Sequence, residues 1–392
     1  MKNKPDAALD RTAFEKMKRI MPGFLALQRP GAETPSTRPL PEEIAFKLTN
    51  ECNLRCAHCY QWNDSGHHHS LEPVERRRHL PFEIITEVFE TTRNLKSNVY
   101  LWGGEPLLYR HWADLADLLE RDPRWTSICT NGLLIHQRIE LLVRISSKLE
   151  MDVAVDGLER EHDKLRGRGA FEKTLRGIKL LLDRKRRGEY KGEITVNCVI
   201  TDPLVPSVME VVRFWDQIGI DTLYLGLLWY LNESASEAMD CYVAQHMPWD
   251  LTKTKNVSGL PSWHAYKYRM NPDLVRPLLK QIELVNEHSW QIKVRYNPAL
   301  PPEEVSEFLT GSPRPVAGKS RCLAVHSRMD VLANGDVVSC KFFPETCVGN
   351  LSESTTKSIW RNARFQRVRD TIETCGLMPV CAKCSLLYSR GI

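Results

Sequence analysis

The chain has 392 residues, a length that predicts two or three domains, and its 42% apolar content is ordinary for a protein with a hydrophobic core. Its 54 basic and 49 acidic side chains give a formal charge of +5, too small to indicate binding to nucleic acid or to an anionic membrane. The charged start at residues 1–6 lacks the apolar stretch of an export signal, and no later segment has the roughly 18 apolar residues of a membrane span. We therefore expect a soluble, cytoplasmic protein.

Residues 1–42 are predicted to form an N-terminal extension with one short helix at 11–20. From residue 43, apolar runs typical of strands alternate with helix-period stretches. The predicted strands are 44–49, 98–102, 126–129, 151–155, 194–200 and 222–227, and the predicted helices are 81–95, 110–119, 137–147, 172–186 and 207–218. Serial β-α units predict a parallel sheet or barrel whose chemistry lies at the carboxyl ends of the strands.

The second half of the chain changes character. Residues 229–270, here called the lid segment, contain seven Trp and Tyr residues and look irregular, so we expect them to cover a substrate. A helix at 271–288 and a strand at 291–296 would close the first domain, which spans 43–300. A proline-rich linker at 301–320 would lead to a second domain at 321–392, which holds half of the twelve cysteines.

Three cysteines, Cys52, Cys56 and Cys59, follow the first predicted strand within eight residues. Clustered cysteines in a reducing compartment are more often metal ligands than disulfides. Three thiolates can hold an iron–sulfur cluster and leave one iron open to a ligand that is not protein. The alternative is a zinc site completed by His58 or by the triplet His67–His69, although we interpret that triplet as a solvated loop.

The spacing Cys52-x3-Cys56-x2-Cys59 after a first strand resembles the radical S-adenosylmethionine superfamily over about residues 43 to 300. The resemblance implies an α/β fold with a partial (β/α)6 barrel. It also implies a [4Fe–4S] cluster with three Cys ligands and S-adenosylmethionine as cosubstrate.

Further motifs support this resemblance. Gly103-Gly104-Glu105-Pro106 follows the second predicted strand and looks like the turn with which the family holds the methionine amine. The resemblance also implies that Arg166 pairs with the cosubstrate carboxylate, unless it is a solvated surface arginine. The other residues assigned to the cosubstrate are Tyr60, Thr130, Asn131, Asp156 and Asn197, the last of which could instead make a structural hydrogen bond. Many relatives have serine where this chain has Ala154, so that contact is absent or replaced.

Four more cysteines form a second set. Asn334-Gly335 predicts a hairpin turn that folds Cys340 back toward Cys322, and Cys381 and Cys384 follow a predicted helix at 358–373. A structural zinc ion would satisfy this pattern too. The segment resembles the SPASM/twitch extension of radical enzymes, a small α+β domain that carries auxiliary [4Fe–4S] clusters. We expect one such cluster, and Cys347 and Cys375 are either ligands or ordinary buried thiols.

The resemblance implies that reductive cleavage of S-adenosylmethionine gives a 5′-deoxyadenosyl radical, which takes a hydrogen atom from the substrate. We predict that the enzyme oxidises or rearranges a small polar metabolite such as a sugar, aminocyclitol or amino acid, using electrons from a donor such as flavodoxin or ferredoxin. One alternative is the crosslinking or epimerisation of a ribosomally made peptide, where Cys198, Cys241 or Cys347 could return a hydrogen atom. The other is a non-catalytic electron carrier. No general acid or base is predicted.

Overall fold

The computed structural model describes residues 38–391, except 248, 250, 252–255, 257 and 311–313. From Leu40 onward these residues form one compact unit. The predicted helix at 11–20 and nearly all of the predicted extension lie outside the described residues. Among the described residues, no helix has both the length and the hydropathy that a membrane crossing needs.

The fold is a ten-stranded sheet in the order β10-β9-β8-β1-β2-β3-β4-β5-β6-β7. Strands β1 to β7 are all parallel, as the serial β-α pattern predicts, and β8 also joins β1 in parallel. The bounds are β1 Glu43–Lys47, β2 Asn98–Trp102, β3 Thr126–Thr130, β4 Leu149–Ala154, β5 Glu193–Val199, β6 Thr222–Gly226, β7 Lys293–Asn297, β8 Arg328–Val331, β9 Asp336–Val338 and β10 Cys347–Asn350.

Helices cover the outer face of the sheet. The longer ones are α1 Phe82–Thr91, α2 Trp112–Arg121, α3 Ile135–Arg144, α4 Glu159–Arg166, α5 Ala170–Arg186, α6 Val208–Ile218, α7 Glu233–His246, α8 Val275–Glu287, α9 Pro302–Thr310, α10 Thr356–Trp360, α11 Ala363–Cys375 and α12 Ser385–Arg390. Single turns lie at Pro73–Arg76 and Ala324–Ser327. The predicted α/β class, with a mostly parallel sheet followed by antiparallel hairpin strands and helices, is confirmed.

Alternation along the strands separates two faces. In β1, Ile44 and Phe46 belong to the main hydrophobic core, whereas Ala45 and Lys47 share the opposite face with Tyr100 and Trp102, their register partners on β2. The same face continues on β3, β4 and β5 through Cys129, Asp152 and Asn197. We call this the inner face; it carries charged and aromatic side chains at the C-terminal edge, where a barrel of this kind places its site.

Two local expectations are wrong. The lid segment is not irregular throughout, because α7 runs through it and begins where the Asn232 side chain accepts a hydrogen bond from the Ala235 amide. The single helix expected at 358–373 is two helices, since Asn362 caps a new start with a side-chain bond to the Phe365 amide. The hairpin at Asn334-Gly335 is present, but it extends the sheet beside β1, and the predicted domain bounds stay a prediction.

Candidate active site between two cysteine sets

The loop after β1 carries Cys52, Cys56 and Cys59 at the C-terminal edge of the sheet. Its backbone is tied at both sides, because the Ala57 amide donates to Leu165 O at 2.9 Å and the Trp62 amide donates to Cys59 O at 2.8 Å. Burial raises the pKa of Cys52 to about 12 and of Cys56 to about 11, and it raises that of Cys59 as well. These thiols are therefore protonated unless a metal ion replaces the proton, which is the behaviour expected of buried ligands.

The glycines after β2 are required by the protein backbone itself. A Cβ atom on Gly104 would lie 2.2 Å from Glu51 O, and one on Gly103 would lie 2.5 Å from Thr49 O. The resemblance implies that this turn holds the methionine amine of the cosubstrate, and that role stays a prediction. The structure shows a physical reason for the glycines: the turn packs directly against the start of the cysteine loop, and only glycine fits.

Glu105 is fully buried and organises the next loop. Its carboxylate accepts hydrogen bonds from Thr130 Oγ1 at 2.6 Å, from the Asn131 amide at 2.8 Å and from the Leu107 amide at 2.9 Å. Burial raises the pKa of Glu105, and these donors act against the rise. Asn131 also donates from Nδ2 to Asn53 Oδ1 at 2.7 Å. The structure thus brings Glu105, Thr130 and Asn131 together, with Glu105 holding the loop after β3 against the cysteine loop.

Asp156 and Arg166 form a buried ion pair, with 2.6 Å between Arg166 Nε and Asp156 Oδ2. His58 Nε2 lies 3.3 Å from the same oxygen, and the Val199 amide donates to Asp156 Oδ1. Burial alone would raise the pKa of Asp156, but Arg166 and His58 outweigh it and lower the pKa to about 2. Arg166 is therefore not a solvated surface arginine. Its Nη atoms make no hydrogen bond to any described residue, so they are free for a ligand carboxylate.

Asn197 and Tyr60 are the two remaining candidates. Asn197 lies on the inner face of β5 beside Ala154, and its side chain makes no hydrogen bond within the described chain. Tyr60 stacks on Tyr266 of the lid segment, with ring centres 4.8 Å apart, and more loosely on His67. The assignment of both residues to S-adenosylmethionine stays a prediction.

The histidine triplet is not a solvated loop. His67 and His68 are buried, and His68 Nε2 lies 3.1 Å from Lys47 Nζ on the inner face. Burial lowers the pKa of His67 to about 3, so this ring is neutral. Only His69 of the three is exposed. A polar triplet hides this burial in the sequence, because nothing local shows that it packs under Tyr60 and Trp62.

One cavity is lined by all four cysteines of the second set, Cys322, Cys340, Cys381 and Cys384. Burial raises the pKa of each of these thiols, and Cys322 and Cys384 raise that of Cys340 further, as expected of neighbouring groups. Cys347 lies elsewhere, packed with Ala45 and Trp102, and Cys375 is exposed at the end of α11. Neither lines the cavity.

In the described part of the chain, no group of three His, Cys, Asp or Glu side chains stands close enough together to hold one metal ion. The donors of both sets are thiols, which are the ligands that hold iron–sulfur clusters.

The lid segment joins the two cysteine sets. Tyr266 stacks on Tyr60, next to Cys59, and also contacts Trp229 with ring centres 4.3 Å apart. Trp229 in turn lines the cavity of the second set. Burial raises the pKa of Tyr266, and Cys340 and Cys59 both add to the rise, so this tyrosine lies near both sets. The aromatic residues of the segment are thus built into the site.

Hydrogen bonds also connect the lid segment to the C-terminal part of the chain, which carries the second set. The Ser262 amide and hydroxyl donate to the two oxygens of buried Glu345, at 2.5 and 2.7 Å. On the other side, Asn63 Nδ2 donates to Ala265 O at 2.8 Å. No local pattern predicts these contacts, because Glu345 and Ser262 are 83 residues apart in the chain.

Two protein-family models match the chain. The radical SAM superfamily matches residues 46–210, and the iron-sulfur cluster-binding domain named SPASM matches residues 322–385. Together they imply a [4Fe–4S] cluster with S-adenosylmethionine and auxiliary iron–sulfur binding near the C-terminus.

Curated relatives and solved structures agree with these models. The AdoMet-dependent heme synthase of Methanosarcina barkeri is 24% identical over 87% of this chain and 88% of its own length. The subtilosin biosynthesis protein AlbA of Bacillus subtilis is 30% identical over 37% of this chain, and the match spans only 31% of the length of AlbA. Streptococcus suis SuiB bound to its precursor peptide SuiA shares the fold, with a TM-score of 0.57 at 17% identity over 99% of this chain and 78% of SuiB. The chain belongs to the radical SAM superfamily and carries a C-terminal SPASM domain.

Proposed function

We propose that this radical SAM enzyme takes a hydrogen atom from a small polar metabolite of the sugar, aminocyclitol or amino acid type, and oxidises or rearranges it with the help of one auxiliary cluster. The observation that carries the proposal is the row of contacting aromatic rings, Tyr60, Tyr266 and Trp229, that leads from the first cysteine set to the cavity of the second. A substrate bound there lies between the source of the radical and an electron acceptor.

Each group of residues at the site has a separate role in this proposal. Cys52, Cys56 and Cys59 would hold the first cluster, which with S-adenosylmethionine supplies the hydrogen-abstracting radical. Glu105 fixes the loop that presents Thr130 and Asn131, while Asp156 orients Arg166 so that its free Nη atoms face a ligand carboxylate. The aromatic residues of the lid segment exclude water from the space between.

Cys322, Cys340, Cys381 and Cys384 would hold the auxiliary cluster. Their cavity is lined largely by apolar side chains, including Trp229, Phe342 and Phe343. An apolar shell tunes the reduction potential of a cluster by limiting solvent and hydrogen bonds. This environment suits a cluster that accepts an electron from a substrate radical.

The second candidate is the maturation of a peptide. AlbA is named for the biosynthesis of a bacteriocin, and the SuiB structure contains a precursor peptide. At 17% identity, the likeness to SuiB is evidence for a shared fold only. The heme synthase, by contrast, aligns over most of both chains, which favours a small molecule. Of the cysteines considered for epimerisation, Cys198 is buried within β5 and Cys241 is exposed on α7, whereas Cys347 packs with Ala45 and Trp102 of the inner face.

The first experiment is anaerobic reconstitution, followed by iron and sulfide counting and an assay for 5′-deoxyadenosine after reduction by flavodoxin or ferredoxin. We expect about eight irons, as for two [4Fe–4S] clusters, and release of 5′-deoxyadenosine. About four irons plus one zinc ion would reject the auxiliary cluster and its electron-acceptor role. No 5′-deoxyadenosine from a reducible first cluster, with candidate metabolites and peptides present, would favour the electron carrier.

A further inference from the structure

Two lysines on the inner face approach the same indole ring. Lys47 Nζ lies 5.6 Å from the ring centre of Trp102, and Lys341 Nζ lies 5.1 Å from it. Lys47 is the last residue of β1, whereas Lys341 follows the hairpin strand β9, so two distant parts of the chain each place an ammonium group beside this ring. Neither lysine belongs to the recognised motifs.

Neither lysine has a carboxylate partner among the described residues. Lys47 Nζ contacts only the neutral ring of His68, and Lys341 Nζ faces the rings of Tyr100, at 4.3 Å, and Phe342, at 5.5 Å. The nearest carboxylates are already used, because Asp330 and Glu43 are both paired with the buried Arg328.

Unpaired ammonium groups are costly in this environment. Burial lowers the pKa of Lys47 to about 7, and Lys341 is half-buried beside Tyr100 and Trp102. Aromatic faces recover only part of the lost hydration of an ammonium group. A bound anion would compensate both charges, and a protein that keeps two such lysines facing one ring is arranged to receive one.

The position of the pair agrees with the place of a substrate. Lys47 lies within electrostatic range of Cys59 of the first set, and Lys341 follows Cys340 and lines the cavity of the second set. Trp102, which both lysines approach, therefore lies between the two cysteine sets. We propose that Lys47 and Lys341 bind an anionic group of the substrate, a carboxylate or a phosphate, with Trp102 beneath it. This inference rests on the proposed function and narrows its substrate to acidic metabolites.

The competing explanation is that each lysine is a countercharge for the cluster nearest to it. A cluster held by thiolates is an anion, so both explanations place a positive charge here. They differ in consequence: loss of a substrate ligand weakens anion binding, while loss of a countercharge shifts a cluster potential.

The test measures anion binding by calorimetry under anaerobic conditions, on the full chain loaded with clusters and S-adenosylmethionine. The probes are glutarate, its neutral diamide and inorganic phosphate. The variants are Lys47→Met, Lys341→Met and the charge-conserving Lys341→Arg, with Lys173→Met on an exposed position of α5 as the matched control. Iron content and reduction potentials are measured on every variant.

We expect glutarate or phosphate to bind the wild type, Lys341→Arg and Lys173→Met with similar affinity. In Lys47→Met and in Lys341→Met, the Kd of that anion should rise at least tenfold. The anion that binds more tightly identifies the group, and the diamide should not bind. Should Lys47→Met fail to take up iron, Lys341→Met alone decides the question.

Three results would overturn the inference. The first is that neither anion binds the wild type. The second is that the anions bind Lys47→Met and Lys341→Met as tightly as they bind the wild type. The third is that these two variants shift the reduction potential of a cluster while anion binding is unchanged. The proposed function fails separately, by the absence of 5′-deoxyadenosine from the wild type, because anion binding is measured without turnover.

Discussion

The two cysteine sets differ in how the chain assembles them. The first lies on one loop of eight residues, from Cys52 to Cys59, whereas the second gathers Cys322, Cys340 and the pair Cys381 and Cys384 from three segments. The first set is surrounded by hydrogen bonds and by the Asp156–Arg166 pair, and the second mainly by aromatic and aliphatic side chains, with Arg328, Asp330 and Lys341 also lining its cavity. A local motif therefore carries the first set, whereas tertiary packing assembles the second.

The sharpest test of this comparison exchanges one ligand in each set. Cys59→Ser should remove about four irons and abolish 5′-deoxyadenosine formation, because three ligands are the minimum for the first cluster. Cys340→Ser should also lose about four irons but keep measurable cleavage of S-adenosylmethionine. Iron counting and product assay on both variants measure this directly. Equal loss of cleavage in the two variants would show that the sets do not function separately.

The next largest effect concerns the ion pair beside the first set. Asp156→Asn leaves the Arg166 guanidinium buried without a countercharge, which should lower the free energy of unfolding by about 3 to 5 kcal/mol. Glu172→Gln is the matched control, since its pair with Arg176 is on the surface and contributes less than about 0.5 kcal/mol. Urea unfolding of both variants at pH 7 provides the measurement.

The same pair predicts a dependence on pH. The pKa of Asp156 falls from its ordinary 3.8 to about 2 in the folded protein, so its contribution to stability is complete above the ordinary value and is lost as the pH falls toward 2. The difference between wild type and Asp156→Asn should therefore narrow below pH 4. A difference that stays constant down to pH 2.5 would contradict the assignment.

The sequence was informative where periodicity or a local motif carries the structure. All seven strands β1 to β7 were predicted within two residues at each end, because alternating β-α units impose a regular pattern. The cysteine loop and the Gly-Gly turn were identified because each is a local sequence motif. Lys47, Lys341, Glu345 and the buried histidines were not, since their environment depends on contacts between segments up to hundreds of residues apart. The helix α7 was missed because the aromatic residues around it drew the interpretation toward a loop.

Another variant tests the packing between the Gly-Gly turn and the cysteine loop. Gly104→Ala places a methyl group against Glu51 O, and this overpacking should cost about 1 to 3 kcal/mol and reduce iron uptake by the first set. Gly226→Ala is the control, because its nearest neighbour would be 3.6 Å away, an ordinary contact. Urea unfolding and iron counting should separate the two. A stable Gly104→Ala protein with full iron content would show that the loop can shift to accept the methyl group.

The smallest effect concerns the attachment of the lid segment to the second set. Ser262→Ala removes one of the two hydrogen bonds to buried Glu345 and should lower the free energy of unfolding by about 1 kcal/mol, since the backbone amide still donates. Tyr266→Phe, which loses only a long 3.4 Å bond to Phe342 O and keeps its stacking on Tyr60, should cost a few tenths of that. Thermal unfolding of the cluster-loaded proteins orders the two variants. A larger loss from Tyr266→Phe would mean that its hydroxyl, and not the stacked rings, holds the segment between the cysteine sets.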